Sequence, residues 1–466
     1  MKLGYNSGSC GSGKTSAVFK IINEVLKIKQ HNFIIVQGTK ILINSSVQTL
    51  QTVYGISATA IYSTGLPDDN VMDRVTDYIK APTSNVLFIT DKIFWRLNPS
   101  VLKNFTVYVD DVTTSLEFDK INDISPYLKQ SARYEVFDDI TSFNSSYEYV
   151  TATSKEQDGD ILIEVRKKFK VTEQNDKFFM NRSWFDDEKV DQLRILAYKD
   201  LTKYLGLDIT FMANDFENTL IYLANKDIFE KVELELRKRK VPYQDRIVVK
   251  YFSNSKLTTS YKNKNQDKLK AVYDYLNKEL NGKKFYWTNN NKDGDQYSLV
   301  GDYISPNSRG LNEYQDYSAC VWLASMHPDD SEIKSLEYLF GITREQVLQA
   351  REYEMLHQFI MRGCVRKYDS ADTQVIYVFD ERQAKSLVAN PEYIDIGIDD
   401  DVVVKKNGRP PKANALDANR RKQVSRCLKT NPSLPEFLKW MDDIGATAIE
   451  RGELMKRFEK KQNKGT

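Results

Sequence analysis

One short stretch near the start of the chain leaves little freedom to the residues on either side of it. It reads Gly8-Ser9-Cys10-Gly11-Ser12-Gly13-Lys14-Thr15, between an apolar run (Leu3 to Asn6) and an amphipathic one (Thr15 to Leu26). The order is strand, loop, helix. Glycines at 8, 11 and 13 let backbone N–H groups turn inward, and the helix N-terminus adds positive partial charge for an anion. Lys14 then reaches the β- and γ-phosphates of a nucleotide, and the Thr15 hydroxyl sits on Mg²⁺. Gly8, Ser9, Gly11, Ser12, Gly13, Lys14 and Thr15 are therefore the candidate nucleotide-binding set.

With 466 residues the chain exceeds one ordinary core and predicts two or three domains. Charged residues make up 28%, and no apolar run approaches the ~20 residues of a membrane span. The first strand begins almost at once, which predicts no signal peptide. Cys10, Cys320, Cys364 and Cys427 form no CxxC pair. That predicts a reducing, cytoplasmic setting and no structural zinc site. Three histidines in all make a His-based metal site or triad an unpromising expectation. Charge is uneven: residues 402–466 hold 16 Lys/Arg against 7 Asp/Glu, or +9. The whole chain is +2, so the preceding 401 residues carry −7. A basic tail on an acidic body fits a nucleic-acid contact or a solvated tail.

After the loop, apolar runs alternate with helical patterns. Phe33 to Val36, Ala58 to Tyr62, Val86 to Ile89, Thr106 to Val109 and Glu148 to Val150 read as strands. The alternation predicts an α/β fold with a doubly wound parallel sheet, whose ligands sit at the carboxyl ends of the strands. Asp110 ends one strand and is the candidate Mg²⁺ partner beside Thr15. Asp111 comes next, as the group that orients or deprotonates a water.

The series GSCGSGKT (8–15), VQGTK (36–40), ITD (89–91), VDDV (109–112) and TATS (151–154) resembles the motor of superfamily 2 helicases of the DEAD/DEAH-box type. The resemblance implies that Thr39, Lys40 and Thr90 contact a nucleic-acid backbone. It also implies that Thr151 and Thr153 couple hydrolysis to nucleic-acid binding. The family has Asp-Glu where this chain has Asp110-Asp111, and an upstream adenine-reading Gln for which little chain precedes the loop here.

In the second half, Thr219 to Asp227 reads as a strand resembling the start of the second lobe of that family. A helix from Ile228 to Arg239 and a strand from Arg246 to Phe252 come after it. Ser308-Arg309-Gly310-Leu311-Asn312 resembles a further nucleic-acid motif, with Ser308 and Arg309 as contacts. Gln358-Phe359-Ile360-Met361-Arg362-Gly363-Cys364-Val365-Arg366 resembles the motif of the lobe interface. Arg362 and Arg366 are four apart and would share a helical face. Gln358 joins them as a candidate catalytic group, and either arginine suits the finger that stabilises transition-state charge.

The expectation is therefore two tandem RecA-like lobes (1–160 and 216–385) around a linker or insertion (161–215). A second linker (386–413) then leads to a small basic α-helical domain (414–466). Its helices are expected over Leu416–Leu428, Leu434–Ile444 and Ala446–Lys460. That domain fits a DNA reader or a dock for a replication partner. The function implied is an ATP- and Mg²⁺-dependent helicase or translocase, on single-stranded or forked DNA rather than RNA. The terse motifs resemble phage or plasmid replication and recombination helicases, and the fused tail resembles origin-binding ones. The alternatives are a packaging or assembly ATPase, and an origin- or partner-binding protein that uses ATP as a switch.

Overall fold

The computed structural model describes residues 2–65, 69–110, 115–121, 137–142, 147–152, 175–186, 192–290, 297–307, 313–399, 418–430 and 432–462. They form two compact units, Met1–Ile398 and Asp399–Thr466.

The larger unit is α/β with two parallel sheets. The first holds β1 (Leu3–Asn6), β2 (Asn32–Gln37), β3 (Ala58–Ile61), β4 (Val86–Thr90) and β5 (Phe105–Asp110). Between the last of these and the rest of the first sheet, the chain builds a separate antiparallel sheet. Its strands are β6 (Leu116–Ile121), β7 (Phe137–Ser142), β8 (Tyr147–Ala152), β9 (Lys177–Asn181) and β10 (Leu193–Tyr198). Then β11 (Ile209–Met212) and β12 (Phe229–Lys231) return to the first sheet, giving the order β12-β1-β11-β5-β2-β4-β3. Apolar side chains alternate between its faces. Ile34, Val36, Leu87 and Ile89 enter one core, and Phe33, Ile35, Val86 and Phe88 the other. A parallel strand covered by helices on both sides demands this, which is why these runs look continuously apolar in sequence. Helices α1 (Lys14–Ile28), α2 (Lys40–Tyr54) and α3 (Val71–Lys80) supply the cover.

The second lobe repeats the plan with β13 (Ile247–Ser253), β14 (Tyr286–Asn289), β15 (Asp302–Tyr303), β16 (Ala319–Leu323), β17 (Gln374–Asp380) and β18 (Glu392–Tyr393), in the order β15-β14-β16-β17-β13-β18. Cys320 and Trp322 face one core, Val321 and Leu323 the other. Helix α4 (Gln266–Glu279) covers this sheet, burying Leu269, Val272, Tyr273 and Leu276.

Several expectations are corrected here. Glu148 to Val150 lies in β8 of the antiparallel sheet and not in the first parallel one, so Thr151 is the penultimate residue of a strand of the insertion. Thr219 to Asp227 is not a strand of the second lobe. Thr219 caps a helical turn, Leu220–Leu223, and Ile221 joins the first-lobe core. Ile228 to Arg239 is not a helix. Val232, Leu234 and Leu236 alternate with exposed Glu233, Glu235 and Arg237, a period of two that suits extended chain. The stretch 161–215 is not a plain linker, since it contains β9, β10 and β11. Nor is 386–413 free linker at its start, because β18 pairs with β13.

The inserted sheet packs on the second lobe. Leu116, Phe179, Leu196 and Tyr198 meet Ile333 and Leu336 of α5 (Asp330–Phe340). Tyr147 OH and Ser335 Oγ lie 2.9 Å apart, and Lys120 pairs with Asp329 at 2.6 Å. Helix α6 (Glu354–Ile360) belongs to the second lobe, and the smaller unit holds α7 (Ala418–Lys429), α8 (Leu434–Asp443) and α9 (Ala448–Gln462), as the expected small helical domain requires. Val424, Phe437, Met441, Leu454 and Phe458 form its core, with the Phe437 and Phe458 rings stacked at 4.7 Å.

Leu336 is 1% exposed between the inserted sheet and the second lobe. Leu336→Ala is expected to cost about 2–4 kcal/mol by leaving a cavity, read as a lower urea midpoint. An unchanged midpoint would mean that this joint does not form in solution.

Candidate nucleotide-binding site

Parallel pairing places the ends of four strands side by side. Asn6 of β1 aligns with Met212 of β11, Met212 with Asp110 of β5, and Asp110 with Gln37 of β2. The loop between β1 and α1 rises from this edge. Gly11 (φ 74°) and Gly13 (φ 84°) adopt left-handed backbone that other residues resist, which sets the tight turn and starts α1 at Lys14. Asn6 Oδ1 accepts from Gly8 N–H at 3.0 Å. The Lys14 ammonium curls back to the Gly8 carbonyl at 2.6 Å, in the mouth of the loop. Ser12 Oγ is buried with no hydrogen-bond partner among the described residues, as a phosphate-cradling hydroxyl would be.

Thr15 Oγ1 donates to Asp110 Oδ2 at 2.6 Å, and Gln37 Nε2 donates to the same oxygen at 3.1 Å. Asp110 is 6% exposed, and the amide and hydroxyl hold it in place. Two hard oxygen donors beside a phosphate loop fit Mg²⁺. Among the described residues no three His, Cys, Asp or Glu converge to hold a metal alone. Phosphate oxygens and waters would complete such a site.

The second lobe supplies the opposite wall. Helix α6 (Glu354–Ile360) stops at the Met361 cap, so Arg362 and Arg366 do not share a helical face. Arg366 instead belongs to a separate turn, Cys364–Arg366. The extended backbone of Gly363 intervenes. Even so, Gln358, Arg362 and Arg366 line the same cleft as Lys14, Thr15 and Asp110, a space of about 750 Å³. Buried Arg246 secures the arginine-bearing turn. Its guanidinium donates to the carbonyls of Val365, Lys367, Cys364 and Asp372 at 2.7–3.3 Å.

Four residues of the site carry no sequence motif. Asn214, just past β11, stands between β1 and β5 and accepts from Cys10 N–H at 3.1 Å. Tyr368 OH lies 2.8 Å from Ser9 Oγ and donates to the Cys10 carbonyl at 2.9 Å. Arg239, in the extended segment between the lobes, donates to Cys10 O (3.2 Å) and to Val365 O (2.5 Å). Its guanidinium lies 4.0 Å from the centroid of the Tyr368 ring. Arg237 donates its N–H to Ser12 O at 2.9 Å and lines the cleft. The alternation at 232–237 is a readable signal for the extended segment. The partners themselves are far apart in sequence and have none.

Of the other expected residues, Thr39 caps α2 by accepting from Leu42 N–H, and Lys40 lies 5.6 Å from the Tyr62 ring centroid. Thr90 ends β4. All three sit at the same sheet edge as the loop, on its β2–β4–β3 side. Asp111, Thr153, Ser308 and Arg309 lie outside the described residues.

No family model matches the chain, and no curated protein matches it. Solved structures do. One described as "XPD_Helicase" is 12% identical, with TM-score 0.46, covering 85% of this chain and 96% of that one. Dbp5 of S. cerevisiae bound to RNA and ADP BeF3 is 8% identical, with TM-score 0.39 and coverages of 84% and 85%. A DEAD box protein from the hyperthermophile Methanococcus jannaschii is 10% identical, with TM-score 0.29 and coverages of 83% and 85%.

The His357 ring on α6 packs edge-on to Tyr243 at 5.0 Å, and its Nε2 is buried without a partner among the described residues. Burial, then the Arg239 charge, pushes its pKa down to about 4. The unfolded ring takes a proton near pH 6.5, the folded one only near 4. Stability is therefore intact above about pH 6.5 and falls as pH drops toward 4, by up to about 3 kcal/mol. His357→Gln is expected to flatten that part of the pH–stability profile in urea unfolding. An unchanged slope would place the acid sensitivity elsewhere.

Proposed function

We propose that the chain is an ATP-driven nucleic-acid helicase or translocase that acts on DNA, in replication or recombination of a phage-like element. The observation that carries this reading is the two-walled cleft. A phosphate loop with Lys14, Thr15 and Asp110 on one lobe faces Gln358, Arg362 and Arg366 on the other. Nucleotide binding needs only the first wall, whereas phosphoryl transfer gains from arginines aimed at the developing charge.

In this reading the loop N–H groups and Lys14 hold the β- and γ-phosphates. Thr15 and Asp110 hold Mg²⁺, which would supply charge neutralisation on those phosphates. Asp111 orients the water that attacks the γ-phosphorus as the bond to ADP breaks. Charge spreads over the departing phosphoryl oxygens, and one of Arg362 and Arg366 stabilises it, an effect of ~10³–10⁵ in rate for such arginines. Because the arginines belong to the second lobe, hydrolysis and release change what holds the lobes together. Thr39, Lys40 and Thr90 would contact the backbone of a bound strand, with Ser308 and Arg309 from the second lobe; such contacts position and do not read sequence. The basic charge of 402–466 favours a nucleic-acid backbone as partner, and the preference for DNA rests on reading the small basic helical unit as a DNA reader.

ATP hydrolysis stimulated by single-stranded DNA is expected in the full chain and absent in Lys14→Ala. Turnover surviving that substitution would sink the proposal. Arg362→Ala and Arg366→Ala separate the finger from its neighbour, the finger variant losing ~10³-fold in kcat. Removing 402–466 is expected to weaken DNA binding and flatten its salt dependence while sparing basal ATPase. An unchanged salt slope would assign the tail to a protein partner.

A further inference from the structure

A continuous row of side chains joins the tip of the phosphate loop to the arginine wall. Cys10 N–H donates to Asn214 Oδ1 at 3.1 Å, and Asn214 Nδ2 donates to Glu354 Oε2 at 2.8 Å. From the other end, Arg362 Nη2 donates to Gln358 Oε1 at 3.3 Å, and Gln358 Nε2 donates to Glu354 Oε1 at 2.8 Å. Asn214, Gln358 and Arg362 are each at most 7% exposed, so water is a poor substitute for these partners.

The polarity of the row dictates its middle. Both ends are donors, a backbone N–H and a guanidinium, and neither can accept. Each side-chain amide accepts with its oxygen and donates with its nitrogen, so both amides point their donors inward. The group where the two halves meet must accept from both sides, and a carboxylate does this with its two oxygens. Its negative charge also complements Arg362. A glutamine at 354 has the same shape but only one acceptor atom there. Whichever way its amide is turned, an N–H faces an N–H.

The helix is phased to suit. Arg344–Leu348 runs through a π turn at Gln349–Tyr353 before α6 begins at Glu354. Such turns shift the side-chain phase of the residues beyond them. Glu354 and Gln358, four apart on α6, then share one side of the helix, and Arg362 follows in the turn beyond its cap, its N–H bonded to the Phe359 carbonyl.

We propose that Glu354 is a positioning residue that ties the phosphate loop to Arg362, so that nucleotide in the loop and the placement of the arginine are coupled. This rests on the hydrolytic reading of the cleft given above. Coupling of this kind is reciprocal: whatever moves the Cys10 peptide is felt at Arg362, and a displaced Arg362 is felt at the loop. Neither Asn214 nor Glu354 need touch the nucleotide for this.

The test uses the full chain and the isosteric Glu354→Gln. With packing volume kept, the variant is expected to stay folded, with its melting temperature lowered by a few degrees because an N–H now faces an N–H, and its affinity for a fluorescent ATP analogue is expected to hold within about twofold. KM is expected to hold within about twofold while kcat falls about tenfold or more, the pattern of a lost transition-state contribution. Asn214→Ala cuts the row from the first lobe and serves if Glu354→Gln melts early. The double variant should lose little beyond either single one, because the two cut one row. Hydrogen exchange gives a readout free of turnover. ATPγS is expected to protect 354–366 in the wild type and not in Glu354→Gln. Wild-type kcat together with retained ATPγS protection in Glu354→Gln would overturn the coupling. Absence of Lys14-dependent hydrolysis in the wild type would instead overturn the hydrolytic reading, while the exchange result still decides the coupling.

Discussion

The backbone of Cys10 is held at both its N–H and its carbonyl, and the cleft depends on it. Its N–H is bonded to Asn214, and its carbonyl takes Tyr368 and Arg239. The loop is rich in glycine and small residues, so its own backbone resists little deformation. Three partners from three parts of the chain supply the stiffness it lacks. Two of them also reach the second lobe, Asn214 through Glu354 and Arg239 through Val365. Loop shape and lobe position are therefore one mechanical variable.

The two parallel sheets make this possible through register. Strand ends that pair in parallel finish on one edge, so the groups just beyond β1, β11, β5 and β2 meet without any being neighbours in sequence. The second lobe uses register at the amino edge of its sheet, where Arg246 precedes β13 and Asp372 precedes β17, and Arg246 holds the turn that carries Arg366. Buried charge at Arg246 is tolerable because backbone carbonyls satisfy its guanidinium.

The legible part of the sequence is the local part. The loop from Gly8 to Thr15, the apolar strands and the pairing of Thr15 with Asp110 need only short-range pattern and a sheet edge. The Gln358–Arg362–Arg366 set is legible by its spacing, although the helix expected to carry it ends at Ile360, ahead of the Met361 cap and Gly363. The alternation at 232–237 is present but resembles a helix as well, because charged and apolar residues are equally mixed in both patterns. Asn214 is out of reach for another reason. An antiparallel sheet separates it from Asp110 in sequence, and β8 within that sheet imitates the missing strand. Glu354, Arg239 and Tyr368 carry no motif at all; only the folded chain shows what they touch.

The place of that inserted sheet has a consequence for how the protein is made. The first sheet cannot close at its centre until β11 arrives, because β1 and β5 do not pair with each other and both need β11 between them. A chain emerging from its N-terminus thus presents the phosphate loop early and its neighbour late. Pairings of such long sequence separation are slow to form. Until β11 and the segment through Arg239 have emerged, the loop lacks both Asn214 and the clamp on its carbonyl. The order of synthesis therefore keeps the nascent chain from closing the cleft before the insertion and the second lobe exist.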